Sequence, residues 1–224
     1  MSKKQVQKRR MMSYFIEAAT KIIDEEGIEA VTIRKVADIA GYNSATLYNY
    51  FENIDHLIFF ACMKYMKDYA LDLPNYIKNS RNSLDKYILI WECFCYHSFN
   101  NPKIYYRIFF DKFTHSIEDA VSEYYSIFPE ELGEQSEDVL SMLLKHNIYD
   151  RCIAALNSCV NENLVRKDDI DEINEMTLLV YQGLLSRILN NQVEYTPQEA
   201  TKKIVSYIQN IINFYSNDKN KRTT

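Results

Sequence analysis

Apolar positions along this chain recur at three- and four-residue intervals, the spacing that places them on one side of an α-helix. From Gln7 to Glu26, Phe15, Ala18, Ala19, Ile22 and Ile23 form one such side, and Gly27 ends it. Ile33, Val36, Ala37 and Ala40 predict a short second helix with one narrow apolar side. Gly41 suits the left-handed residue that closes a helix, and Asn43 suits the N-cap of a third helix over Ser44–Tyr50. There Leu47 and Phe51 are left for the core, while Ser44, Ala45, Thr46, Tyr48 and Asn49 face outward. A longer pattern from Asp55, with Leu57, Ile58, Ala61, Cys62, Tyr65 and Tyr69, predicts a helix that stops before Pro74. Further helices are expected at about 82–99, 102–114, 117–127, 136–162, 169–191 and 197–215. Their breaks fall at Asn100-Asn101-Pro102, Pro129 to Gly133, Arg166 to Asp169 and Asn190 to Pro197. The expected fold class is all-α, with no internal repeat and a polar tail, Asn217 to Thr224, that should fray.

Two short helices around so tight a turn bury little alone, and they make sense as a helix-turn-helix whose second helix enters a DNA major groove. Arg34, in the first turn of its helix, can reach a guanine edge or a phosphate. Ser44, Ala45 and Asn49 would face bases, and Thr46, Tyr48 and Tyr50 would offer hydroxyls to phosphates. Asn43 and Asn53 cap helices whose first amides suit an anion. Tyr48 and Tyr50 could instead pack the head; ring against the core and hydroxyl outward satisfies both roles.

The run Thr32 to Leu57 resembles the TetR family of transcriptional repressors. Thr32, Arg34, Ala37, Ala40, Gly41, Thr46, Leu47, Tyr48, Tyr50, Phe51 and Leu57 are in register with that family's pattern. The chain departs at Asn43, where Ser is common but Asn caps equally well. It departs also at Ile54, where the family often carries a phosphate-facing Lys. The resemblance covers residues 8–60 closely; beyond them it is one of layout. It implies a helix-turn-helix DNA-binding domain over residues 1–54 and a helical effector-binding and dimerisation domain over 55–224. It also implies a cytoplasmic homodimer that represses transcription from palindromic operator DNA and is released by a small apolar or amphipathic effector. A regulator of the same fold, repressor or activator, controlled by a protein partner is the alternative.

Composition sharpens this picture. Only four Gly and four Pro among 224 residues, with 47% apolar residues, favour helix over tight turns. The net charge of −5 looks wrong for a DNA-binding protein until it is divided. Through Asp55, acids and bases balance, and the bases Lys3, Lys4, Lys8, Arg9 and Arg10 lead the chain with no acid among them. A basic arm on an acidic body can still approach phosphate; a solvated tail is the other reading of it. No run of about 18 apolar residues occurs, and the start leads into a charged helix, so neither a membrane span nor a signal peptide is expected. The five cysteines are odd in number and lie in apolar helical runs, as reduced thiols would. The four histidines lack metal spacing, and Cys93 and Cys95 point apart around a helix. With no nucleophile elbow, phosphate loop or acid–base pair either, the expectation is no metal, no cofactor and no enzyme.

The middle helices are aromatic on nearly every side, and such a core could be solid or could enclose a cavity. Candidate lining residues are Trp91, Phe94, Cys95, Phe109, Phe113, His146 and Tyr149, with His97 and Glu92 as further polar contacts. Trp91, Phe94, Phe109 and Phe113 could not replace the water of a charged, highly hydrated ligand, so none is expected. Helix 169–191 (Ile170, Ile173, Thr177, Val180, Tyr181, Leu184, Ile188) and helix 197–215 (Ile204, Tyr207, Ile208, Ile211, Tyr215) carry apolar stripes too wide for one contact each. A four-helix bundle between two subunits would use both. Gly183, costly inside a helix by roughly 1 kcal/mol, fits a close helix approach there.

Overall fold

The computed structural model describes residues 3–111 and 120–216, and every regular element among them is helical. In chain order these are α1 (Lys3–Glu26), α2 (Ile33–Ala40), α3 (Ser44–Leu47), α4 (Ile54–Met63), α5 (Met66–Ile77), α6 (Ser83–Asn100) and α7 (Pro102–Phe109). Then come α8 (Ala120–Ile127), α9 (Glu137–Leu143), α10 (Ile148–Asn161), α11 (Ile170–Leu189) and α12 (Pro197–Tyr215). The chain divides into two compact units, Met1–Lys67 with Lys103–Glu130, and Asp68–Pro102 with Glu131–Thr224.

The first unit is built on an aromatic knot. Phe51 stands edge-on to Phe15, His56 and Phe60, with centroids 6.3, 5.7 and 5.8 Å away. Phe60 in turn packs on Tyr124 of α8 at 5.3 Å. Edge-to-face rings of this kind contribute about 0.5–1.5 kcal/mol each beyond their buried area. Arg107 of α7 binds Asp55 in the first turn of α4 and also Asp111, so α7 and α8 both brace α4.

The second unit packs α6 against α12 and α10, α12 against α11, and α9 and α11 against α10. Trp91 and Phe94 of α6 meet Tyr181 of α11 at 5.4 and 5.3 Å, and the Tyr181 hydroxyl shares a 2.5 Å hydrogen bond with Ser98.

Several expected helices differ from their sequence outlines. The pattern from Asp55 is two helices, because the chain tightens at Lys64 and Tyr65, whose amides bond Ala61 and Cys62. There the Tyr65 hydroxyl reaches Asp24 on α1 at 2.5 Å. Its second helix, α5, does not stop before Pro74 but runs three residues past it. Proline removes the amide that would bond the Ala70 carbonyl. The Gln135 side-chain amide supplies that bond instead, at 2.7 Å, while also bonding the Leu132 carbonyl at 2.6 Å. Gly133, at φ 63°, makes the turn that brings Gln135 there; a side chain on it would meet Leu71 at 2.8 Å. The expected helix 136–162 breaks at Leu144–Asn147, where the Asn147 side chain caps α10 by accepting from the Asp150 amide at 2.8 Å. The helix expected over 102–114 ends at Phe109, and the one over 117–127 is described from Ala120.

Candidate nucleic-acid interface and effector pocket

The local chemistry around the turn explains why α2 and α3 sit as they do. Thr32 caps α2 by accepting from the Lys35 amide at 3.3 Å. Gly41 closes α2 at φ 76°, a conformation that costs any other residue, and the Tyr42 amide reaches back to the Ala37 carbonyl at 2.9 Å. Asn43 Oδ1 then accepts from the Thr46 amide at 2.9 Å and from the Thr46 hydroxyl at 3.0 Å. After Leu47 the chain does not stay in regular helix to Tyr50 as expected; the Asn49 and Tyr50 amides bond three residues back, to Thr46 and Leu47.

This geometry sorts the DNA-binding candidates. Arg34, Asn43, Ala45, Tyr48 and Asn49 are exposed, Tyr48 by 55% despite its apolar ring. Ala45, Tyr48 and Asn49 follow at three- and four-residue spacing and share one outward side. Ser44, Thr46 and Tyr50 are half-buried. Tyr50 leans its ring toward Phe15 at 6.2 Å, and the Thr46 proton is already given to Asn43. Sequence reasoning passed over Tyr14 and Tyr42, two exposed rings 6.2 Å apart beside the turn. Their only signal was an aromatic directly after Gly41.

The basic arm is not a tail but the first turns of α1. Lys8 pairs with Glu123 at 3.0 Å, and Arg9 pairs with Glu130 and lies over the Phe128 ring at 5.5 Å. Exposed pairs of this kind are worth about 0–1 kcal/mol, so they hold these cations lightly. His56 sits behind them, 4% exposed, with Nδ1 accepting from the Glu52 amide at 3.3 Å and Nε2 lying 3.8 Å from Glu123. Burial lowers its pKa below the ordinary value, against the pull of Glu123 and Glu52.

In the second unit a small, half-open space of about 30 Å³ lies between α5, α6, α9 and α10. Trp91 and Phe94 line it. Cys95 is fully buried but stands off the wall, and burial raises its thiol pKa. Phe109 belongs to the first unit, where it packs on Tyr105 at 6.2 Å, and Phe113 lies outside the described residues. The helix break removes the other two from the expected stripe. His146 falls in the bend between α9 and α10, and Tyr149 is 41% exposed with its hydroxyl bonded to Asp171 at 3.0 Å. Residues not anticipated complete the wall, among them Tyr69, Tyr87, Met142 and, most unlike the rest, Arg151. A polar face on a short amphipathic stretch hides such a residue in the sequence. The space is far below the several hundred Å³ of a filled ligand pocket, so the described conformation is nearly closed.

The two long C-terminal helices keep an inner and an outer apolar side. Leu184 and Ile208, expected at a subunit contact, are buried within the chain, with Ile173, Tyr181, Ile204 and Ile212. Outside, Met176, Leu179, Tyr207 and Phe214 are 40, 61, 44 and 71% exposed, and nothing within 4 Å meets the place of a Gly183 side chain. Among the described residues no helix is long and apolar enough to cross a membrane, and no cluster of three or more metal-ligating side chains occurs.

Comparison with known proteins gives these features a context. Residues 15–59 match the family model for bacterial regulatory proteins of the tetR family. No curated protein matches the chain. Among solved structures, the chain is similar to the TetR-family repressor FadR of Thermus thermophilus, solved in complex with lauroyl-CoA. That match has 10% identity and a TM-score of 0.57 over 90% of this chain and 93% of that one. A TetR-family regulator from Mesorhizobium loti matches at 11% identity and TM-score 0.57, over 96% and 100% of the two chains. A TetR regulator from Haloarcula marismortui matches at 14% and 0.56, over 92% and 98%. At these identities the likeness is one of fold.

Proposed function

We propose that the chain is a transcriptional regulator of the TetR family, a DNA-binding protein rather than an enzyme, and that it is a ligand-responsive repressor acting as a homodimer on palindromic operator DNA; the reading is supported by the match of residues 15–59 to the tetR family model and by the fold of the described helices. In this reading residues 1–54 bind DNA and residues 55–224 bind the effector and the second subunit. The observation that carries it is the outward row Ala45, Tyr48 and Asn49 on a turn built by Gly41 and Asn43. Ser44, Ala45 and Asn49 read base edges. Arg34, Tyr48 and Tyr50 hold the backbone or, for Arg34, a guanine. Asn43 acts through Thr46, fixing the start of α3, which makes both residues positioning groups.

In this reading the dimer forms through the outer side of α11 and α12, a reading supported by the exposed Leu179 and Phe214 as apolar anchors and by the open space at Gly183 for close approach. A two-fold dimer places the recognition helices about 34–36 Å apart, one DNA turn. An effector that favours another spacing releases the operator by its coupling energy. The small cavity favours one competing reading, control by a protein partner. Small-molecule release of DNA by the purified protein alone separates the two.

The test is selection of genomic duplexes with the purified protein, followed by titration of the enriched site. Arg34→Ala and Tyr48→Ala should each weaken binding by about 1–3 kcal/mol. Failure to enrich any duplex would overturn the reading.

A further inference from the structure

The outward side of α1 is laid out differently from the side that packs. Lys3, Gln7, Arg10 and Tyr14 recur at four- and three-residue intervals, so they form one row along the helix, and all four are exposed. Lys8 and Arg9 are paired with Glu123 and Glu130, whereas Lys3 and Arg10 have no ion-pair partner among the described residues. Arg10 and Tyr14 share the wall of one open groove with Val6, Arg9 and Ser13, so both side chains reach solvent on the same side. At its far end the row meets the helix-turn-helix. The Tyr14 ring lies 6.2 Å from that of Tyr42, which directly follows Gly41 and directly precedes the Asn43 cap of α3. Tyr42 also leans on the fully buried Phe15 at 5.5 Å, and its amide is held by the Ala37 carbonyl. Yet Tyr14 and Tyr42 are 49 and 37% exposed. A tyrosine braced at its ring and wet at its hydroxyl suits a surface that a partner covers.

Resting on the DNA-binding reading above, we propose that the α1 row and Tyr42 form a second DNA contact, which grips the sugar–phosphate backbone beside the groove entered by α3. Phosphate is the occupant that the chemistry of the row selects. Lys3, Gln7, Arg10, Tyr14 and Tyr42 all offer donors, and α1 holds no acid from Lys3 to Ile16. The first one, Glu17, stands one turn beyond Tyr14 and ends the row. The Arg10 guanidinium and the two phenol hydroxyls donate to phosphate oxygens, while the rings cover deoxyribose. At about 1.5 Å per residue the row from Lys3 to Tyr14 is about 16 Å long, the axial length of about five nucleotides in one strand. Backbone contacts carry no base code but fix orientation on the duplex. This surface therefore adds affinity and sets how α3 meets the groove, and it leaves the choice of sequence to α3.

The experiment uses the full chain and two labelled duplexes, one enriched by genomic selection and one of mixed sequence, with binding read by fluorescence anisotropy over a range of salt. Tyr14→Phe with Tyr42→Phe keeps both rings and removes only the hydroxyls. Its melting temperature should hold while its affinity for both duplexes falls by about 10-fold or more, as expected for hydrogen bonds to charged groups. Arg10→Ala should make the slope of log affinity against log salt shallower by about one. Both variants should keep the ratio of the two affinities, whereas Asn49→Ala, on the outward side of α3, should lower it. An unchanged affinity of the phenylalanine variant, an unchanged salt slope in Arg10→Ala, or a loss confined to the selected duplex would each overturn the proposal. Should selection enrich no duplex, the mixed sequence alone carries the test. If the variants bind as wild type does while Tyr48→Ala weakens binding, the DNA-binding reading stands and only this surface falls. Wild-type protein that binds neither duplex would overturn both.

Discussion

Replacing Gln135 with Met tests how α5 survives a proline in its interior. The substitution nearly conserves volume but removes both amide donors. The Ala70 carbonyl, on a residue that is 0% exposed, then loses the partner that stands in for the missing Pro74 amide. Stripping a buried acceptor costs about 1–3 kcal/mol, and the Leu132 carbonyl also loses its bond. We expect a loss of about 2 kcal/mol, near the middle of that range. In a Pro74→Ala background the chain supplies its own amide to Ala70, so the same change at Gln135 should cost about 1 kcal/mol less, within the usual span of coupling energies. The assay is urea unfolding followed by Trp91 fluorescence, which reports the unit containing Gln135, Pro74 and α5. Equal costs of Gln135→Met in the two backgrounds would refute the argument that Gln135 serves the carbonyl orphaned by Pro74.

The remaining predictions concern the dimer, the arm and His56. Leu179→Glu should leave the melting temperature nearly unchanged yet yield monomer in sedimentation, whereas Leu184→Glu should cost about 3–5 kcal/mol or fail to fold, since only Leu184 is core; a fully dimeric Leu179→Glu, Phe214→Glu double variant would place the interface elsewhere. Glu123→Gln with Glu130→Gln should release Lys8 and Arg9 toward phosphate and steepen the slope of log affinity against log salt by up to about two phosphate equivalents, and an unchanged slope would mean that these cations never reach DNA. Because burial lowers the His56 pKa below 6.5, the unfolded chain binds that proton first. Its stability contribution is therefore intact above about pH 7 and falls as pH drops through 6.5, by at most about 1.4 kcal/mol per pH unit. Melting temperatures of wild type minus His56→Gln across pH 5.5–7.5 should display that slope, and a flat difference would refute it.

What could be read from residue order alone is whatever rests on contacts a few residues apart. Helical spacing, the Asn43 and Asn53 caps and the positive φ of Gly41 are local, so the head and most helix positions were legible, and of the five residues expected to face outward from the third helix Ala45, Tyr48 and Asn49 are exposed while Ser44 and Thr46 are half-buried. Other features depend on groups far apart in the chain. Pro74 reads as a stop until Gln135, distant in sequence, takes over its hydrogen bond. Leu184 and Leu179 read as parts of one apolar surface until packing buries the first and leaves the second outside. Likewise an arginine on an amphipathic helix reads as solvated. Only the meeting of α6, α9 and α10 turned Arg151 inward beside Tyr87, because where a side chain ends is decided by which surfaces pack together and not by its own neighbours in the chain.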